Sequence, residues 1–64
     1  MSGAPIRLDQ GTRHVLAWCA ACPPWRELRA SSSAAHLAAA AHAERVHGDA
    51  ATAKEHRRRA RDTL

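Results

Sequence analysis

The chain has 64 residues, 45% of them hydrophobic, and a formal net charge of +4. Sixteen of the hydrophobic residues are Ala; setting these aside with the two Cys and Met1 leaves ten large apolar side chains for a core: Ile6, Leu8, Val15, Leu16, Trp18, Trp25, Leu28, Leu37, Val46 and Leu64. These figures exclude doubly wound sheets, TIM barrels and most enzyme folds, and a chain so short with so thin a core usually needs a disulfide, a metal or a partner.

Residues 1–11 contain Gly3, Pro5 and Gly11 and show little periodicity. They read as a flexible N-terminal segment from which Ile6 and Leu8 are placed to dock. MSGAPIRLDQ has no apolar h-region, and no apolar run approaches the roughly 18 residues of a membrane span. The expectation is therefore a cytoplasmic protein with no membrane partner. Cytoplasm keeps thiols reduced, and a bridge between Cys19 and Cys22 would close too small a loop to constrain the chain. A metal or a partner is the better expectation.

Residues 13–19, RHVLAWC, carry the β-formers Val15 and Trp18 and suit a short strand. CAACPP follows as a tight turn, its prolines confined to an edge because they donate no ladder hydrogen bond. Residues 25–29, WRELR, suit a second strand. Ser31, Ser32 and Ser33 offer hydroxyls for a helix N-cap. Residues 34–47 are Ala-rich and predict a helix, with Gly48 where a left-handed cap belongs. Asp49 caps a second helix over 50–62, whose cations near its C-terminal end suit the macrodipole. That helix has no large apolar residue before Leu64, so it is expected to fray or to need a partner.

The chemistry lies in the spacing C-x2-C-x19-H-x4-H, formed by Cys19, Cys22, His42 and His47. Structural zinc takes four ligands in a tetrahedron and favours thiolate sulfur and imidazole nitrogen. A C-x2-C turn presents two sulfurs to one point, and two His near a helix end present two imidazoles. On an ideal helix the x4 spacing sets them about 140° apart, so the last turn is expected to tighten or unwind. Zinc binding worth roughly 10–16 kcal/mol is the right size to support so small a core. The competing reading has two small buried thiols and five solvated His. His36 lies about 240° round the helix from His42 and about 16 Å along it from His47. His14, cross-strand from the second strand, is an alternative to one of the pair, and so is His36. His56 lies among the basic residues of the second helix.

WCAAC also matches the redox motif of thioredoxins, but the βαβ scaffold of that fold is missing. Haem attachment needs a His after the second Cys, and Pro23 stands there. A catalytic zinc needs an open position and a general base, for which Glu44 is the nearest carboxylate. Catalysis is not expected, nor is a small-molecule substrate.

Taken together, Cys19 and Cys22, the following Trp25, and His42 and His47 on a helix resemble a C2H2-type ββα zinc finger over residues 14–48. More closely, Trp18, Cys19, Cys22, Trp25, His42-Ala43 and His47-Gly48 are similar to small zinc-finger-like proteins of actinobacteria and their phages and plasmids. The resemblance implies a small α+β fold: a zinc-stabilised ββα finger followed by a basic C-terminal helix. It divides the chain into a flexible segment (1–11), a finger-like domain (12–48) and a basic helical tail (49–64), with Zn²⁺ as cofactor. The chain departs from the finger pattern in its gap between Cys22 and His42, where fingers have about 12 residues. Ala39 stands where the finger has its core Leu. The positions that read bases in a finger helix are Ala35, Ala38 and Ala41, which offer no hydrogen bond to a base edge.

Two functions remain. One is accessory nucleic-acid binding, with Lys54, Arg57, Arg58, Arg59 and Arg61 on phosphates and Arg26, Arg29 and Arg45 adding charge; such contacts position without reading sequence. The other is a protein-interaction or virion-structural module that uses the Ala34, Ala38 and Ala41 face or an exposed Trp. Trp25 is the better candidate for the core.

Overall fold

A computed structural model describes residues 5–62. It is a small α+β structure in the order β1 (Ile6–Gln10), β2 (Val15–Cys19), β3 (Cys22–Arg29), α1 (Ser32–His47) and α2 (Ala50–Asp62). The strands form an antiparallel sheet in the order β1-β2-β3, and two helices follow it. Along β2, Val15, Ala17 and Cys19 are buried while Leu16 and Trp18 are half-buried. This alternation is the period-2 signature of a strand with one covered face.

The sequence suggests a two-stranded finger behind a flexible lead-in; the structure instead adds Ile6–Gln10 as a third strand. Ile6 pairs with Cys19 and Leu8 with Ala17, and Ile6 packs on the cluster of Ala40, Ala43 and Ala53. The Pro5 carbonyl accepts from Ala20 N–H at 3.0 Å. The segment is ordered because β2 would otherwise carry an unpaired row of backbone donors and acceptors. Residues 1–4 of the lead-in, and Leu64, lie outside the described residues.

The turn between β2 and β3 is shorter than CAACPP suggests. Ala20 and Ala21 make it, and β3 starts at Cys22 and includes Pro23 and Pro24. β3 is an edge strand, and its prolines fall where the register jumps from Cys19↔Cys22 to Trp18↔Arg26, so their missing N–H groups leave no partner unsatisfied.

α1 begins and ends on the predicted caps. Ser31 Oγ accepts from Ala34 N–H at 3.2 Å. Gly48 takes φ 60°, and both its N–H and that of Asp49, the latter at 3.0 Å, reach the Ala43 carbonyl, so a left-handed Gly closes the helix end. Asp49 then caps α2 through Thr52 N–H at 3.0 Å and Thr52 Oγ1–H at 2.7 Å.

α2 is not frayed; it docks on α1. Ala53 and Ala60 are buried, and Ser33 Oγ donates to the Ala60 carbonyl at 3.0 Å. Two residues link the helices, so they must fold back as a hairpin. Alanines on the shared face let the backbones approach closely, and dispersion over that contact replaces the missing large side chains. The core is accordingly mostly alanine: Ala17, Ala35, Ala39, Ala40, Ala43, Ala53 and Ala60, joined by Val15 and Cys19.

Candidate metal centre

The β2–β3 turn sets Cys19 opposite Cys22 as cross-strand partners, with a register irregularity at Trp18/Cys19. Cys19 is buried, Cys22 half-buried, and no disulfide joins them. The last two turns of α1 bring His42 and His47 over this turn. The helix keeps its α form through His47, so the expected tightening does not occur. Side-chain torsions take up the angle instead, and the two rings meet edge to face with centroids 5.1 Å apart.

His47 Nε2 lies 3.4 Å from Cys19 Sγ and 3.7 Å from Cys22 Sγ. Donor atoms of all four residues lie within 4.8 Å of one another. Sulfurs at about 2.3 Å and nitrogens at about 2.0–2.1 Å from a tetrahedral ion sit roughly 3.3–3.8 Å apart. Both measured separations fall in that range. His42 is buried, and its Nε2 has no hydrogen-bond partner. A buried imidazole nitrogen without a partner costs free energy unless something else satisfies it, and an ion held by the other three donors would do so.

The electrostatics point the same way. Burial lowers the His42 pKa, and neighbouring His47 lowers it further, so the ring is kept in the neutral form that ligates. Desolvation raises the Cys22 pKa, and the hydrogen bond and charge of Cys19 add to it. Two thiols this close resist losing both protons without a cation between them. Two cysteines and two histidines placed so can hold a metal ion.

The alternatives to His42 and His47 are placed elsewhere. His14 is exposed in the β1–β2 connection. His36 faces α2, its Nδ1 2.9 Å from His56 Nδ1. Glu44 is exposed and bound by Arg57 at 2.6 Å, which holds its carboxyl below the usual range.

The predicted nucleic-acid contacts all lie on α2. Arg57 pairs with Glu44, and Arg58 pairs with Glu55 at 2.6 Å and Asp62 at 3.7 Å. Arg59 pairs with Glu55 at 3.2 Å, while Lys54 and Arg61 are exposed. The acidic partners were present in the sequence, but only the docking of α2 brings Glu44 to Arg57. Sequence reasoning also missed the role of Trp25. It is half-buried and lies flat on His42, with ring centroids 4.0 Å apart. No signal in the sequence ties those two positions together.

No helix is long and apolar enough to cross a membrane among the described residues. Searches of protein-family models, curated proteins and solved structures find no match to the chain.

Proposed function

We propose that this chain is a small zinc-binding protein and serves as an accessory nucleic-acid-binding module through sequence-independent phosphate contacts. The observation that carries the zinc assignment is the separation of His47 Nε2 from the two sulfurs, 3.4 and 3.7 Å, beside the unpartnered His42 Nε2. A donor set of two sulfurs and two imidazoles favours zinc among the common divalent ions. When bound, zinc ties the β2–β3 turn to the end of α1 and so fixes the sheet against the helices. All four donors are then used, which leaves no open position for catalysis.

The net charge of +4 favours a polyanionic partner. Arg57, Arg58 and Arg59 already have carboxylate partners, but exposed pairs are worth only about 0–1 kcal/mol. Phosphates can therefore compete for these side chains, and Lys54 and Arg61 add charge beside them.

A second reading, a protein-interaction or virion-structural module, is favoured by one observation. Leu28, Leu37 and Val46 are 59%, 52% and 58% exposed, a large share for a chain with so few big apolar groups. Retention of zinc-loaded protein on immobilised DNA across a salt gradient separates the two. The nucleic-acid reading predicts binding that weakens steeply with salt; a salt-insensitive complex with a protein supports the second.

A further inference from the structure

The helices cover one face of the sheet, the one carrying Val15, Ala17 and Cys19. On the opposite face the register sets Arg7 beside Trp18 and Trp18 beside Arg26. These three form one row across β1, β2 and β3. The next row is Asp9, Leu16 and Leu28. Trp18 Nε1–H donates to Asp9 Oδ2 at 3.1 Å. That bond fixes the indole across the strands, and it engages the single carboxylate among the strand residues of this face.

Arg7 and Arg26 are exposed. Among the described residues neither side chain makes a hydrogen bond or an ion pair, in contrast to Arg29, Arg57, Arg58 and Arg59. Beyond Leu16 and Leu28 an open hollow of about 460 Å³ extends the same face toward Arg13 and His14. Arg13 is likewise exposed and without an acidic partner among the described residues.

We propose that this outer sheet face binds single-stranded nucleic acid, with a base stacked on Trp18 and the flanking phosphates held by Arg7 and Arg26. The inference rests on the nucleic-acid reading above and relocates its principal contact from α2 to the sheet. Three strands span about 10 Å, room for one nucleotide between two long basic side chains. A half-exposed aromatic ring with cations on both sides is the kind of arrangement by which single strands are held without sequence preference. A duplex keeps its bases stacked inside and offers this row only phosphates. An apolar protein ridge laid on Trp18 would bury both guanidinium groups without partners, at high cost.

The test uses the full zinc-loaded chain and fluorescence anisotropy at fixed salt. The probes are a labelled oligothymidylate of about 12 nucleotides and a labelled duplex of equal length, a length within the usual site sizes. The single strand is expected to bind about tenfold or more tightly than the duplex. Trp18→Ala is expected to lose about tenfold or more of single-strand affinity, and Trp18→Phe to keep most of it. Because Trp18 also packs on the sheet, the exposed pair Arg7→Glu and Arg26→Glu serves as a second variant with circular dichroism unchanged; it too is expected to lose single-strand binding. Equal binding of both probes, unaffected by the sheet variants but lost on Lys54→Ala with Arg61→Ala, overturns the platform and leaves the nucleic-acid reading intact. No binding of either probe by folded, zinc-loaded protein overturns both. A dimer in sedimentation that Trp18→Ala dissociates makes the face a protein contact and also overturns the proposal.

Discussion

The Trp25 indole lies flat against the His42 imidazole, with ring centroids 4.0 Å apart and planes 22° apart. β3 thereby supplies both a lid over His42 and one member, Cys22, of a four-residue donor cluster whose other parts come from β2 and α1. A groove runs beside it between β3 and α1, lined by Glu27, Arg29 and Ala38 as well as the two rings. His42 itself lines that groove, with Trp25 covering one face of its ring.

Removing the lid is expected to weaken metal retention and leave the four donors in place. Trp25→Ala should release zinc to a competing chelator about tenfold faster or more, in line with the effect of groups that support metal ligands. Trp25→Phe should behave close to wild type. Competition with a chromophoric chelator measures both.

Replacing a donor should have a different signature. Cys19→Ser and His42→Ala each remove one ligand from a set of four, so zinc stoichiometry should fall and folding should become dependent on excess metal. Circular dichroism during a zinc titration reads this directly. A His36→Ala control should bind zinc as wild type does, because His36 lies at the α1–α2 contact.

Much of this site could be read from local chemistry. The C-x2-C spacing of Cys19 and Cys22 needs only a turn to bring two sulfurs together, and His42 and His47 need only a helix. Ser31, Gly48 and Asp49 announce their caps by residue type. What escaped was non-local. Ile6 and Leu8 give β1 only two apolar residues in a Gly- and Pro-containing stretch, too short a period-2 signal, and its order comes from pairing with β2. α2 has no apolar stripe, since Ala53 and Ala60 hardly stand out in an Ala-rich chain. Its docking follows from backbone approach, which hydrophobic periodicity does not register. The convergence of His42 and His47 through side-chain torsions within a regular helix was likewise invisible to angular counting.

The α1–α2 contact should be intolerant of added volume. Ala53 is fully buried against Ala40 and Ala43, so Ala53→Leu forces methylenes into a filled space. A loss of about 1–3 kcal/mol is expected, read as a lower urea midpoint in zinc-loaded protein. Ala51→Leu, at an exposed position of the same helix, should be near neutral.

Gly48→Ala isolates a backbone cost. A Cβ at Gly48 would meet nothing within 4 Å, but φ is +60°. The expected loss of about 1–2 kcal/mol is therefore conformational alone. Gly48→Asn should recover part of it, because Asn tolerates that region better. Denaturation midpoints of the three proteins check the order.

The His36–His56 pair predicts an acid-sensitive helix contact. Burial lowers the pKa of each ring; nearby Arg59 lowers that of His36, His36 and then Arg59 lower that of His56, and Glu55 opposes the shift at His56. At 2.9 Å between Nδ1 atoms, one nitrogen must be deprotonated to accept. Folded-state values below the unfolded value of about 6.5 mean that the unfolded chain takes up protons first. The stability from this pair is thus complete above about pH 6.5 and is lost as pH falls through the lowered values. Ring-proton NMR titration should place both midpoints below the ordinary His value, and His56→Gln should show a shallower loss of stability between neutral and acid pH.

Metal analysis of the purified chain, paired with circular dichroism before and after a strong chelator, bears most directly on the whole account. One zinc per chain is expected, with the folded spectrum lost on chelation and regained when zinc is returned. A chain that purifies without metal, keeps the same spectrum in chelator and melts at the same temperature would contradict it.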